Sequence, residues 1–308
     1  SHVQNTHLPN VAHSQGLFCR RILNCSCVFF LHLQLIGSGA AAQVITSQGT
    51  HGSYLTMQLG SALGAVFGIF VSRGVSGAQL NVVWSMSLWI LGRQPWRKVP
   101  LYALSHLLGA FLGAATVYLQ YYDAIQVFSG GHLSVAGPNA TAGIFCSYPA
   151  DHLSVWGGIV DQVVATALLL ICCLAVEDRR QGLLPDGLAP VLVGALILTI
   201  GLSMGSNCGF PLNPARDLGP RLFTFIAGWG EEVFKAGGGW WWVPIVAPFV
   251  GGLLGTLIYE LLIEVHHPHT PQSPEDRDQD HPPFSFFIVL DCRTCASGQA
   301  CTRIYQIF

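Results

Sequence analysis

The chain has 308 residues, 51% hydrophobic and only 10% charged, with 35 glycines and a mean hydropathy of +0.48. Soluble domains carry charge on about a quarter of their residues, so a soluble globular domain is excluded, and the apolar content excludes disorder over the body of the chain. A formal net charge of −2 offers no basic surface for nucleic acid, and ten irregularly spaced cysteines form no disulfide framework.

A membrane-spanning helix needs about 20 mostly apolar residues. In chain order, such runs lie near 22–45, 54–72, 99–120, 156–176, 188–206 and 242–265. Cys25, Cys27, Cys172 and Cys173 fall inside these runs, where a thiol reads as a small buried hydrophobe. Two shorter apolar stretches, 81–92 and 213–226, each begin at an Asn after a glycine-containing loop and read as re-entrant half-helices. The runs are continuously apolar rather than alternating, which argues against barrel strands. No basic segment with a cleavable apolar stretch opens the chain, so no signal peptide is expected.

The expected division is a segment 1–21, a first repeat 22–120, a loop 121–155, a second repeat 156–265 and a tail 266–308. Short cytoplasmic loops collect Lys and Arg. With both termini inside, Arg20, Arg21, Arg73, Arg93, Arg97, Lys98, Arg179, Arg180, Arg277, Arg293 and Arg303 fall on the cytoplasmic side, 11 of the 14 basic residues. The 121–155 loop, placed outside, has none. It does hold the glycosylation sequon Asn139-Ala140-Thr141. The tail, with His266, His267, His269 and one CxxC, is expected to be disordered and to bind no metal.

The chain repeats itself. SGAQLNVVWSMSLWILG followed by WRKVPLYALSHLLGAFLG is echoed by CGFPLNPARDLGPRLF followed by WWWVPIVAPFVGGLLG. Each half holds three spans with a half-helix between its second and third. An odd span count per repeat inverts one half relative to the other. The half-helices then enter from opposite faces and meet at mid-membrane, where irregular backbone survives only if it is buried in protein or lines a watery cavity. A pore is predicted there.

Two Asn-centred loops of the form SGA-x-LN and NPARDLGPRLF resemble the aquaporin, or major intrinsic protein, family over about residues 36–267. Asp217 directly after NPAR, with the long 121–155 loop, resembles its aquaglyceroporin branch. The resemblance implies an all-α membrane fold of six transmembrane helices plus two re-entrant half-helices. It implies a homotetramer in the lipid bilayer, passive conduction of water, glycerol and other small neutral solutes such as urea, no cofactor and no enzyme activity. A plasma-membrane location follows the same resemblance. A gapless alignment to the family's aromatic/arginine constriction implies Ser61, Gly201, Phe210 and Arg216 as the selectivity filter. Carbonyls of Gly77, Ala78, Gln79, Cys208 and Gly209 would complete a hydrogen-bonding track; a Cys208 close to the lumen would make conduction mercury-sensitive, with inert burial of the thiol the favoured alternative.

The physics beneath these residues is separable from the resemblance. Asn81 and Asn213 sit where an N-cap accepts from first-turn N–H groups, leaving the NH2 to donate into the lumen. Pro214, followed by Ala215, suits N1 because it has no N–H to orphan. Two helix N-termini and Arg216, an arginine deep in apolar sequence, repel cations. Asp161 is the acid of the fourth span, and the resemblance implies that it braces the second loop through the loop backbone, with Asp217 counted in the same bracing. The two-fold counterpart of Asp161 in the first span is Ser26, where the family has an acid. The first loop also departs from the family, reading Asn81-Val82-Val83 instead of Asn-Pro-Ala, with Gln79 for its usual His. Val83 adds methyls where the half-helices pack together, and overpacking costs about 1–3 kcal/mol. These departures leave open a non-conducting or weakly conducting member, and the inverted repeats with broken helices leave open a coupled secondary transporter. The latter needs ionisable groups at the midplane, for which only Asp161 and Arg216 qualify.

Overall fold

The computed structural model describes residue 27 and residues 33–267, apart from 80, 179, 181–183 and 186. Ser26 and the tail beyond 267 lie outside the described residues. The apolar runs form helices α1 (Leu33–Thr46), α2 (Tyr54–Ser76), α4 (Lys98–Gln120), α6 (Val155–Glu177), α7 (Ala189–Met204) and α10 (Val243–Leu262). The half-helices are α3 (Val82–Ile90) and α8 (Pro214–Thr224). Two short helices absent from the sequence expectation, α5 (Tyr122–Ser129) and α9 (Glu232–Gly239), lie in the connections. Among the described residues, α2, α4, α6 and the helix ending in α10 are long and apolar enough to cross a bilayer, while α1 and α7 are shorter apolar helices. Each repeat thus has three membrane helices with a half-helix between its second and third.

Leucines, valines and phenylalanines face outward along the long helices, among them Leu104, Leu108, Val160, Val164, Val250 and Leu257. That is the pattern of a helix bundle solvated by lipid, where apolar side chains gain nothing by burial and small residues make the contacts. Gly251 and Gly255 show the consequence on α10. A Cβ on Gly255 would lie 2.9 Å from Ala167 Cα, and one on Gly251 would strike the Val163 carbonyl, so α10 rests directly on the backbone of α6.

The two half-helices both pack on α4 and α10 and touch each other at their N-termini. Asn81 Oδ1 accepts from Val83 N at 3.0 Å, and Asn213 Oδ1 accepts from Ala215 N at 3.1 Å. Both caps form, because capping uses the Asn oxygen and a backbone donor whatever side chains follow.

The overpacking expected at Val83 does not occur. Val83 is fully buried in the central core with Val82. Its Cγ1 occupies the space that a side chain on Gly252 of α10 would take. One of the two extra methyls thus fills a notch on α10, and the half-helices remain in contact.

Candidate functional site

Between the helices runs a cavity of about 700 Å3. One end is lined by Tyr54, Gln58, Ser61, Phe210 and Arg216, and the other by Arg73, Arg93 and Glu177. Asn81 and Asn213 line the stretch where the two loops meet. The loops themselves are strained. Gly77 and Ala78 have φ of 75° and 48°, and their repeat counterparts Gly209 and Phe210 have φ of 74° and 43°; Leu212 is also left-handed at 51°. Such conformations in non-glycine residues cost about 1–3 kcal/mol each and persist only when the surroundings over-determine them.

What over-determines the second loop is a set of polar side chains. Gln162 on α6 accepts from Leu212 N at 3.1 Å and donates to Cys208 Sγ at 3.0 Å. Asp161 accepts from Asn207 Nδ2 at 2.7 Å and from the Cys208 thiol at 3.1 Å. The backbone contact expected of Asp161 is therefore made by its neighbour. One residue along a helix turns the side chain by about 100°, which aims Gln162 at the loop and leaves Asp161 half-buried.

Asp217 is wholly buried on α8 and accepts from Ser147 N and Oγ at 2.7 and 2.5 Å. Its other oxygen takes Arg221 Nε and Nη2 at 2.9 and 2.7 Å. Arg221 also donates to the carbonyls of Val233 and Ser147, both at 2.6 Å, and stacks over Tyr148. Buried charges must be paired and hydrogen-bonded, and this pair is satisfied on both sides. Arg221 was not singled out from sequence, where it reads as one more basic residue of the loop.

The first loop is held by uncharged groups. Gln79 donates to Gln94 Oε1 at 2.8 Å and accepts from Ser85 Oγ at 2.5 Å, and Gln94 donates back to the Ser85 carbonyl. Asn81 Nδ2 donates to the carbonyl of Leu212 at 2.7 Å, tying the first loop to the second. With its Oδ1 also engaged, one N–H of Asn81 is left to face the cavity.

Of the sequence-predicted site residues, Ser61, Gly77, Ala78, Gln79, Asn81, Gly209, Phe210, Asn213 and Arg216 line this cavity. Arg216 Nη1 is buried with no hydrogen-bond partner among the described residues. Cys208 and Gly201 do not line it. The Cys208 side chain is turned into the Asp161 and Gln162 cluster, which removes the geometric basis for mercury access from the lumen. Gly201 sits behind the wall, where a Cβ would lie 2.9 Å from Phe210 Cζ. Val82, Pro214 and Ala215 instead border a separate apolar cleft of about 240 Å3 with Leu104, Leu107 and Phe249.

At the other end, Arg73 and Glu177 approach to 3.7 Å. Arg93 binds both oxygens of Glu264 at 2.6 and 2.7 Å, and Arg180 joins the same carboxylate at 2.8 Å. Burial would raise the Asp178 carboxyl, but hydrogen bonds from Arg180 and Tyr259 outweigh it and hold its pKa down to about 2.

A family model described as Major intrinsic protein matches residues 20–259. The chain belongs to the major intrinsic protein family. It is 53% identical to aquaporin-10 of Homo sapiens over 244 residues, 79% of this chain and 81% of that protein. With aquaporin-9 of Homo sapiens it shares 48% identity over 236 residues, 77% of this chain and 80% of that one. The X-ray structure of the aquaglyceroporin from Plasmodium falciparum matches with a TM-score of 0.72 at 31% identity, covering 80% of this chain and 98% of that chain. This member of the major intrinsic protein family therefore carries six membrane helices and two half-helices around the cavity.

Proposed function

We propose that this chain is a passive channel for glycerol and water, with urea and other small neutral solutes in the same class. The observation that carries the reading is the cavity of about 700 Å3 that passes both capping asparagines and reaches Arg216, whose Nη1 has no hydrogen-bond partner among the described residues. A neutral hydroxyl finds donors there, whereas a cation meets two helix N-termini and an arginine. In this reading Ser61, Phe210 and Arg216 form the constriction, and Gly201 sets its width by letting the Phe210 ring lie back. Asp161, Gln162 and Asp217 hold the loops in place. The Val83 seat on Gly252 answers the overpacking argument against the first repeat, which favours conduction.

In this reading the Arg216 end faces outside and both termini lie in the cytoplasm, which the distribution of Lys and Arg supports, and the protein is a homotetramer of the plasma membrane. Asn139 is exposed in the outer loop and is the glycosylation acceptor in this scheme.

The test is light scattering of proteoliposomes under a glycerol gradient and under an impermeant osmolyte, against empty liposomes. Both fluxes are expected to rise with protein, and Gly201→Phe is expected to lower glycerol flux more than water flux. No protein-dependent glycerol flux sinks the channel reading.

A further inference from the structure

The wall around Arg216 contains a polar side chain outside the constriction set, Gln58 on α2. A carboxamide in a membrane helix is costly to keep unless it faces water or a partner. Gln58 is 6% exposed and lines the cavity one helical turn from Ser61, on the same face. Its neighbours orient it. The Tyr54 hydroxyl lies within hydrogen-bonding reach of the Gln58 amide and itself donates to the Gly201 carbonyl at 2.8 Å. On the opposite side, a Cβ on Gly201 would lie 2.6 Å from Gln58 Oε1 and 3.0 Å from Phe210 Cε1. The bare backbone of Gly201 is thus the shared seat of the carboxamide and the aromatic ring, which sets a polar group beside an apolar one in a single stretch of wall.

Beyond the Ser61 hydroxyl, two other polar side chains of this wall are committed. Gln34 Nε2 donates to Ser38 Oγ at 2.5 Å and to the Phe145 carbonyl at 3.2 Å, and Tyr54 is spent on Gly201. Arg216 can only donate, whereas each hydroxyl of a polyol both donates and accepts. An amide oxygen supplies the acceptor that a guanidinium lacks.

We propose that Gln58 is a specificity-determining residue of the lumen, whose carboxamide accepts from and donates to polyol hydroxyls while the carbon chain lies on Phe210. The proposal rests on the channel reading and extends it to a residue whose loss discriminates polyol from water. Water needs no matched pair of groups and passes with or without the amide.

The experiment compares wild type, Gln58→Met and Gln58→Asn in proteoliposomes, with assembly checked by gel filtration and glycerol and water permeabilities measured on the same vesicles. Removing a hydrogen-bonding partner from a solute path is worth about a three- to tenfold fall in glycerol permeability. Water permeability of Gln58→Met is expected to stay at or above wild type. Gln58→Asn keeps the carboxamide one methylene short and is expected to fall between the two. Assembled Gln58→Met with an unchanged glycerol-to-water ratio overturns the proposal. If Gln58→Met does not assemble, Gln58→Asn decides, an unchanged ratio overturning the proposal and a lowered one supporting it. A wild-type chain that passes no glycerol defeats the channel reading instead, and the two failures are thereby distinct.

Discussion

The two re-entrant loops end in the same capping asparagine yet are secured by different chemistry. Around Asn213 the clamp is ionic and buried, with Asp217 and Arg221 locked to Ser147 and Val233. Around Asn81 it is neutral, a closed ring of Gln79, Ser85 and Gln94. The residues after the asparagine differ as well, Pro214-Ala215 in one loop and Val82-Val83 in the other, and still both helices start at the same place relative to their caps. The comparison teaches that the start of a half-helix is a local matter, while its anchoring and its packing are decided by whichever distant side chains surround it.

The largest expected effect breaks the ionic clamp. Arg221→Met leaves the Asp217 carboxylate buried without its partner, a loss of about 3–5 kcal/mol. Gln94→Leu leaves the Gln79 amide and the Ser85 carbonyl, both neutral, each short of one bond, at about 1–3 kcal/mol. Thermal unfolding in detergent should therefore show a much deeper fall for Arg221→Met, and equal falls would erase the distinction between the two loops.

A smaller effect tests the seat of Val83. Val83→Ala empties the notch against Gly252 and is expected to cost about 2 kcal/mol. Gly252→Ala forces a Cβ into Val83 and is expected to be destabilising in the native background but tolerated when Val83 is Ala. A double-mutant cycle should give a coupling of about 1 kcal/mol or more between these positions. Additive losses would mean that Val83 is not accommodated by Gly252.

The smallest effect concerns the proline missing from the first loop. Asn81 has φ −152° and ψ 135°, the extended backbone that a residue before proline requires, and Val82 is the first residue of α3. Val82→Pro is expected to raise stability by about 0.4–1 kcal/mol, through the unfolded chain rather than through any contact. A lower melting temperature for Val82→Pro would show that the N–H of Val82 is used. Replacing Val82 and Val83 together by the Pro-Ala pattern of the second loop thus yields a net loss, the reverse of what overpacking predicts.

The amino-acid sequence by itself determined the number and order of the membrane helices, the half-helices and their inversion. These depend on run length, on the count of spans per repeat and on an Asn at each cap, all of which act within a few residues. The capping pattern also pointed to Asn81 and Asn213 as cavity residues, and the resemblance to the family pointed to Ser61, Phe210 and Arg216. Only the tertiary structure decided that Gln162 rather than Asp161 reaches the Leu212 amide, that Gly201 stands behind the wall, and that Gln58 belongs to it. It alone paired Val83 with Gly252 across 169 positions and Arg221 with the Ser147 carbonyl. Which way a side chain turns depends on helix rotation and on neighbours far away in the chain. Membrane helices weaken the usual guide further, because lipid lets their outward face be as apolar as their core and hydropathy no longer tells the two apart.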